Sequence, residues 1–216
     1  GAGPGGYVAA IRAAQGGKKV ALIESKEMGG TCLNRGCIPT KTLLANAEVL
    51  RKAKEAEDFG IITGKVEFDY TKMFSRKENV VGGIRKSLEG LIKANKVCIF
   101  NGFGKFISRH EIKIQGKDNC VIDVKKVIIA TGSEPLDIPS FPFDHENILS
   151  STSALALEDI PKKLLIIGGG VIGCEFASMF HDFGVEIENI EMLPSIIDME
   201  GSRLSSALTE SFTKRG

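Results

Sequence analysis

The feature that most constrains this chain is a pattern it carries twice. Gly1, Gly3 and Gly6 in GAGPGG, and Gly168, Gly170 and Gly173 in GGGVIG, share one spacing, G-x-G-x-x-G. In both copies the third glycine precedes a glutamate, Glu24 or Glu191, by the same eighteen positions. The first copy reads as turn, helix and a short apolar strand ending at Glu24; the second, from Leu164 to Glu191, reads as strand, turn, helix and strand. A sequence that twice joins strands to a helix through a tight glycine turn is directed toward an α/β fold with parallel strands.

Glycines at this spacing permit the tight turn and let a pyrophosphate approach a helix N-terminus, whose dipole favours anions. An acid about 20 residues on stands where a ribose hydroxyl would be bound, which is the position of Glu24 and Glu191. Against this stands a glycine-rich turn with no ligand. The second copy is the stronger signal, because Lys163 to Ile167 supplies the preceding strand and Val171 onward the following helix. After Glu191 come Met192, Leu193 and Pro194, with no arginine to receive a 2′-phosphate, so NAD is expected rather than NADP. Glu188 and Asn189 are unusual for a buried parallel strand, which should be apolar.

Between the two units, Cys37 to Glu57 has helical composition, with Leu43, Leu44, Ala47 and Leu50 on one face. Asp69 to Asn95 reads as a second helix, loosened at Gly82 and Gly83. Short β-rich runs follow at 96–100, around Gly104, at 111–114 and at 120–124, with a returning strand KVIIATG ending at Gly132. The stretch from Pro135 to Pro161 is rich in Pro, Ser and acidic residues and places a domain boundary near Leu149. The expected division is 1–149 and 150–216.

Charge narrows the partners. The net charge of +1 comes from 28 basic and 27 acidic side chains, so nothing steers the chain toward nucleic acid or anionic lipid. No apolar run reaches the ~20 residues of a membrane span. Five cysteines without a regular framework point to a reducing compartment rather than a secreted disulfide scaffold.

Two of those cysteines, Cys32 and Cys37, lie in GGTCLNRGCIPTK, just after the first unit. Within one ideal helix, five steps rise about 7.5 Å, beyond the ~7 Å Cα limit for a disulfide. Bridging them therefore needs an irregular turn, which Gly36 can supply, and such strain makes a disulfide easier to reduce. Cys37 at a helix N-terminus suits contact with an oxidised cofactor. Two buried thiols, or half of a metal site, are the alternatives. His110, His145 and His181 do not cluster with the pair, so no metal is expected. Cys98, Cys120 and Cys174, in apolar contexts, are expected to be small buried hydrophobes.

With GAGPGG, GGTCLNRGCIPTK, IIATGSEP and IIGGGVIGCE in this order, the chain resembles the flavin-linked disulfide reductases, and most closely their dihydrolipoamide dehydrogenase branch. The resemblance covers essentially the whole chain and implies two Rossmann-like dinucleotide-binding domains, FAD then NAD, both incomplete. It implies that Cys32 is the interchange thiol that meets dihydrolipoamide, and that Cys37 is the thiol against the flavin. Lys41 would sit near the flavin's reactive nitrogen, paired with Glu175, and that pair would join the two domains. FAD would be held by Gly1, Gly3, Gly6, Glu24, Gly30, Thr31, Lys41, Gly104, Thr131, Gly132 and Ser133. NAD would be held by Gly168, Gly170, Gly173 and Glu191. Mercuric reductase or another flavin disulfide reductase, and a non-catalytic dinucleotide-binding module, are the competing readings.

The same resemblance implies a lipoyl-bearing protein or dihydrolipoamide as substrate, a 2-oxo acid dehydrogenase complex as host, a homodimer, and bacterial cytoplasm or mitochondrial matrix as location. The first strand of the FAD unit is expected to be missing, and the NAD unit to stop early. The histidine and glutamate that serve this family as acid and base match nothing in this sequence. The chain is therefore expected to be the N-terminal half of an enzyme, inactive alone.

Overall fold

The computed structural model describes residues 1–216 and divides into two compact units, each assembled from two stretches of sequence. The first comprises Gly1–Pro39 and Glu78–Thr152; the second comprises Thr40–Lys77 and Ser153–Gly216. Compactness thus cuts the chain at several places, where the sequence suggested a single cut at 149/150. No helix is long and apolar enough to cross a membrane.

In the first unit, helix α1 (Pro4–Gln15) opens with proline in its first turn, where a missing N–H costs nothing. It leads into strand β1 (Ala21–Glu24), which pairs in parallel with β2 (Cys98–Phe106), Ala21 opposite Cys98. From β2 the sheet continues antiparallel through β3 (Glu111–Gly116) and β4 (Cys120–Asp123), in the order β1-β2-β3-β4. The expected runs at 96–100 and around Gly104 are therefore one long strand. Ala10 and Ile11 of α1, Leu22 of β1, and Met28, Ile92 and Val97 form the core on which α1 and β1 rest.

Helix α4 (Tyr70–Ala94) passes through Gly82 and Gly83 without interruption, contrary to the expected loosening. A helical glycine costs only about 1 kcal/mol against alanine, and buried Val81 and Ile92 on the same helix outweigh it. The run KVIIATG does not form a strand. β1 pairs only with β2, and 126–132 finds no ladder partner, which leaves Ile128 and Ile129 69% and 72% exposed.

After a short helix, α5 (Ser151–Leu155), the second unit's β5 (Lys163–Ile167) and β6 (Glu186–Ile190) form a parallel pair flanking α6 (Val171–Asp182). Its core gathers Leu43, Ala47 and Leu50 from helix α3 (Cys37–Lys54), the face read from their spacing, with Tyr70, Phe176, Met179 and Phe180. The polar residues of β6 are explained by exposure: Glu188 and Asn189 face solvent in a two-stranded sheet. A last helix, α7 (Ser202–Arg215), is tied to α6 where Arg215 donates to Asp182 Oδ1 at 2.7 Å and to Ser178 Oγ at 2.9 Å.

Candidate functional site

The first glycine turn works by close approach. A β-carbon on Gly6 would lie 1.8 Å from the carbonyl oxygen of Gly1, and one on Gly1 would lie 2.3 Å from the carbonyl oxygen of Ala130. Gly30, in the left-handed region at φ +61°, would place a β-carbon 2.6 Å from the Cα of Gly3. These glycines let the turn, the cysteine-bearing segment and the stretch entering Thr131, Gly132 and Ser133 share space that side chains would fill. Those three residues are exposed, and the neighbouring Glu134 pairs with Lys26 at 2.6 Å. Gly104 stands in β2 opposite Ile114, with Ile23 alongside. Thr31 is exposed on the helix that carries Cys32.

The second turn repeats the device. A β-carbon on Gly173 would lie 2.0 Å from the carbonyl oxygen of Gly168, whereas one on Gly170 would meet nothing within 4 Å. The space a β-carbon would take at Gly170, the residue that precedes α6, is open. Asn189 Nδ2 donates to the carbonyl of Gly168 at 3.3 Å, and the thiol of buried Cys174 donates to the carbonyl of Gly169 at 3.3 Å. Burial, reinforced by the charge of Glu191, pushes the Cys174 thiol above its ordinary range.

The two strand-end glutamates behave as twins. Glu24 accepts from the backbone N–H of Ala2 at 2.6 Å and from that of Lys26 at 2.8 Å. Glu191 accepts from Gly169 at 2.6 Å and from Leu193 at 2.8 Å. Each carboxylate therefore ties the end of its strand to its own glycine turn, a connection the sequence did not suggest. A carboxylate has about four lone-pair positions, so acceptor capacity remains for a ribose hydroxyl. The backbone N–H groups of Leu193 and then Gly169 hold the Glu191 carboxyl below its usual range.

Cys32 sits in the short helix α2 (Gly30–Arg35) and Cys37 begins α3, with Gly36 breaking the helical path between them at φ −142° and ψ −109°. That is the irregular turn the spacing required. Both cysteines are free thiols, Cys32 half-buried and Cys37 exposed. Burial, then a hydrogen bond to the Cys37 thiol and its charge, push the Cys32 thiol up, while the backbone N–H of Cys37 acts in the opposite sense. The Cys32 thiol is thus within electrostatic reach of Cys37.

Lys41 and Glu175 form the expected ion pair across 134 positions of sequence. Their side chains are 61% and 30% exposed. Both belong to the second compact unit. Among the other cysteines, Cys174 is buried as expected, but Cys98 and Cys120 are exposed. Cys98 begins its strand and Cys120 lies on the sheet's edge strand, where an apolar sequence context does not guarantee cover.

Asn34 and Arg85 were not singled out in the sequence. Asn34 Oδ1 accepts from Arg85 Nε at 2.7 Å, and its Nδ2 donates to the carbonyls of Met28 and Gly30, both at 2.9 Å. An asparagine beside a glycine-rich turn is itself a signal, because its side chain readily bonds nearby backbone.

A profile of the pyridine nucleotide-disulphide oxidoreductase family matches residues 1–216. The chain is 53% identical over 216 residues to a dihydrolipoyl dehydrogenase of Chlamydia pneumoniae, covering all of this chain and 47% of that protein. It is 41% identical over 226 residues to a dihydrolipoyl dehydrogenase of Bacillus subtilis, covering all of this chain and 48% of that protein. It thus spans about half the length of the curated relatives it matches. Among solved structures, LpdA of Mycobacterium tuberculosis superposes with a TM-score of 0.91 at 26% identity, covering all of this chain and 49% of that one. The HOCl-induced flavoprotein disulfide reductase RclA of Escherichia coli superposes with a TM-score of 0.84 at 30% identity, covering all of this chain and 46% of that one.

Proposed function

The chain belongs to the pyridine nucleotide-disulphide oxidoreductase family, and from that premise we propose that it carries the thiol-exchange centre and both nucleotide-binding turns of a dihydrolipoyl dehydrogenase. The observation that carries this reading is that Cys32 on α2 and Cys37 at the start of α3 flank the Gly36 break, the irregular turn a bridge between them needs. The names of the relatives at 53% and 41% identity favour the lipoamide reaction over the mercuric one.

The exchange follows from the two sulfurs. In the oxidised form, one thiolate of dihydrolipoamide attacks Cys32 of a Cys32–Cys37 disulfide, and Cys37 leaves as a thiolate. The second substrate sulfur then attacks the sulfur of the mixed disulfide, closing lipoamide and releasing Cys32. Two electrons end on the protein's cysteines, and the two protons of the substrate thiols pass to the released thiolates or to solvent. The half-buried position of Cys32 and the exposed position of Cys37 are both compatible with a dithiol reagent.

Gly1, Gly6 and Gly30 pack against backbone where a β-carbon has no room, and Gly170 leaves its backbone open, which supports a dinucleotide at each turn. We assign FAD to the turn of Gly1, Gly3, Gly6 and Glu24, with Gly30, Thr31, Gly104, Thr131, Gly132 and Ser133. NAD is assigned to Gly168, Gly170, Gly173 and Glu191. When bound at these residues, FAD would supply an acceptor for the dithiol's electron pair, and NAD⁺ the acceptor beyond it. The functional division at 149/150, the role of Lys41 and Glu175 beside the flavin, a homodimer, a 2-oxo acid dehydrogenase complex and a cytoplasmic or mitochondrial-matrix location complete the proposal.

The test begins with the chain oxidised to its Cys32–Cys37 disulfide. Dihydrolipoamide should release two alkylatable thiols per chain. In a Cys37→Ser variant, oxidised lipoamide should leave a mixed disulfide on Cys32, located by peptide mass. An oxidised chain whose thiol count does not rise, or a mixed disulfide found elsewhere, overturns the reading.

A further inference from the structure

We propose that Asn34 and Arg85 are positioning residues for the Cys32–Cys37 pair, acting as one clamp on the segment that joins the first glycine turn to the redox cysteines. The inference deepens the disulfide-exchange reading and rests on it. Asn34 lies between the two cysteines, and both ends of its side-chain amide are engaged. Nδ2 donates to the carbonyls of Met28 and Gly30 at 2.9 Å, so one group holds both sides of the left-handed glycines Gly29 and Gly30. Oδ1 accepts from Arg85 Nε at 2.7 Å, and Arg85 comes from α4, 51 positions away. The amide has one workable orientation, since its reversal would set an NH₂ against the guanidinium and an oxygen against two carbonyls.

The consequence concerns how readily the pair closes. With glutathione disulfide as oxidant, Cys32 and Cys37 each lose one proton and together two electrons, one sulfur–sulfur bond forms between them, and two molecules of glutathione are released. The equilibrium constant of that exchange measures the effective concentration of one cysteine at the other. α2 is only six residues long, and a helix that short does not hold itself. A bond from α4 to its middle fixes Cys32 relative to the rest of the first unit and so raises that effective concentration. Arg85 touches neither sulfur in this arrangement; it acts through Asn34.

The experiment equilibrates the full 216-residue chain with glutathione redox buffers and counts oxidised chains by alkylation and mass. Asn34→Asp keeps the size of the side chain and its acceptor toward Arg85, but loses both donated bonds. Arg85→Gln and Arg85→Met remove the guanidinium from the partly exposed face of α4. Each variant should lower the closing constant about tenfold, equivalent to about 30 mV for a two-electron couple. Asn34→Asp combined with Arg85→Gln should fall little below either single variant, because the two act as one unit. Folded variants with lower thermal stability but an unchanged constant have lost only structure, and that result overturns the clamp. So does a double variant in which the two effects simply multiply. A native chain that never closes the Cys32–Cys37 bond in these buffers overturns the exchange reading as well, which separates the two failures.

Discussion

Gly173 faces the carbonyl oxygen of Gly168 so closely that a β-carbon would lie 2.0 Å from it, and Gly6 faces Gly1 in the same way at 1.8 Å. The contact draws the first turn of α6, and of α1, down onto its own glycine loop. The middle glycine of the second turn is different: Gly170 has ordinary extended backbone at φ −71°, and its open side faces no protein atom. One spacing therefore holds two kinds of glycine, one demanded by the fold and one whose backbone is open at the helix N-terminus.

Alanine substitutions should separate these two kinds. Gly173→Ala forces backbone apart and should cost about 1–3 kcal/mol of stability, with NAD affinity lost alongside. Gly170→Ala should melt close to the native temperature yet bind NAD at least about tenfold more weakly, because its methyl group stands where a pyrophosphate would approach. Thermal melts beside calorimetric NAD titrations read both effects. A Gly170→Ala chain with native NAD affinity would remove the second turn from the nucleotide site.

The Glu191 carboxylate should make the second turn acid-sensitive. Its carboxyl is held below the usual range in the folded chain, chiefly by the N–H groups of Leu193 and Gly169. The stabilisation is therefore present above the unfolded carboxyl's ordinary pKa and disappears as pH falls through the lower folded value. Amide exchange at Gly169 and Leu193 should lose protection over that acidic window. Glu191→Gln should show the loss already at neutral pH. Equal protection of both amides in that variant would mean the carboxylate does not hold the turn.

What the sequence revealed was local. The helices after each glycine turn, the strands ending at Glu24 and beside Glu191, and the buried face of Leu43, Ala47 and Leu50 follow from spacing within a few residues. KVIIATG has strand composition but no ladder partner, and composition does not report partners. Cys98 and Cys120 looked like core residues from their apolar neighbours, yet exposure depends on what covers the sheet. The bond between Asn34 and Arg85 spans 51 positions and has no periodic signature. Asn189, which seemed misplaced in a parallel strand, caps the carbonyl of Gly168 from a solvent-facing position.

The Lys41–Glu175 pair should contribute little to stability and much to chemistry. With Lys41 61% exposed, water screens the pair, and Lys41→Met should change unfolding free energy by less than about 1 kcal/mol. If the lysine serves the flavin, reduction of bound FAD by dihydrolipoamide should slow by at least about tenfold in that variant. Stopped-flow absorbance beside a urea titration compares the two. Flavin reduction at the native rate would leave Lys41 as a solvated helix lysine.

Tyr70 should give the second unit an alkaline limit. Its ring meets Phe183 edge-on at 5.6 Å, its hydroxyl donates to the Leu157 carbonyl at 3.3 Å, and only 9% of the residue is exposed. Burial pushes the phenol up to about 12. A group whose folded pKa is raised contributes fully below its unfolded value, near 10, and that contribution is lost as pH climbs toward 12. At about 1.4 kcal/mol per pH unit, the native chain should lose roughly 2–3 kcal/mol across that window. Tyr70→Phe keeps the aromatic contact, gives up about 1 kcal/mol for the hydroxyl bond at neutral pH, and should lack this extra alkaline loss. Urea unfolding of both chains at the two ends of the window measures the difference. If the phenylalanine variant weakens with alkali by as much as the native chain, the limit is set by another group.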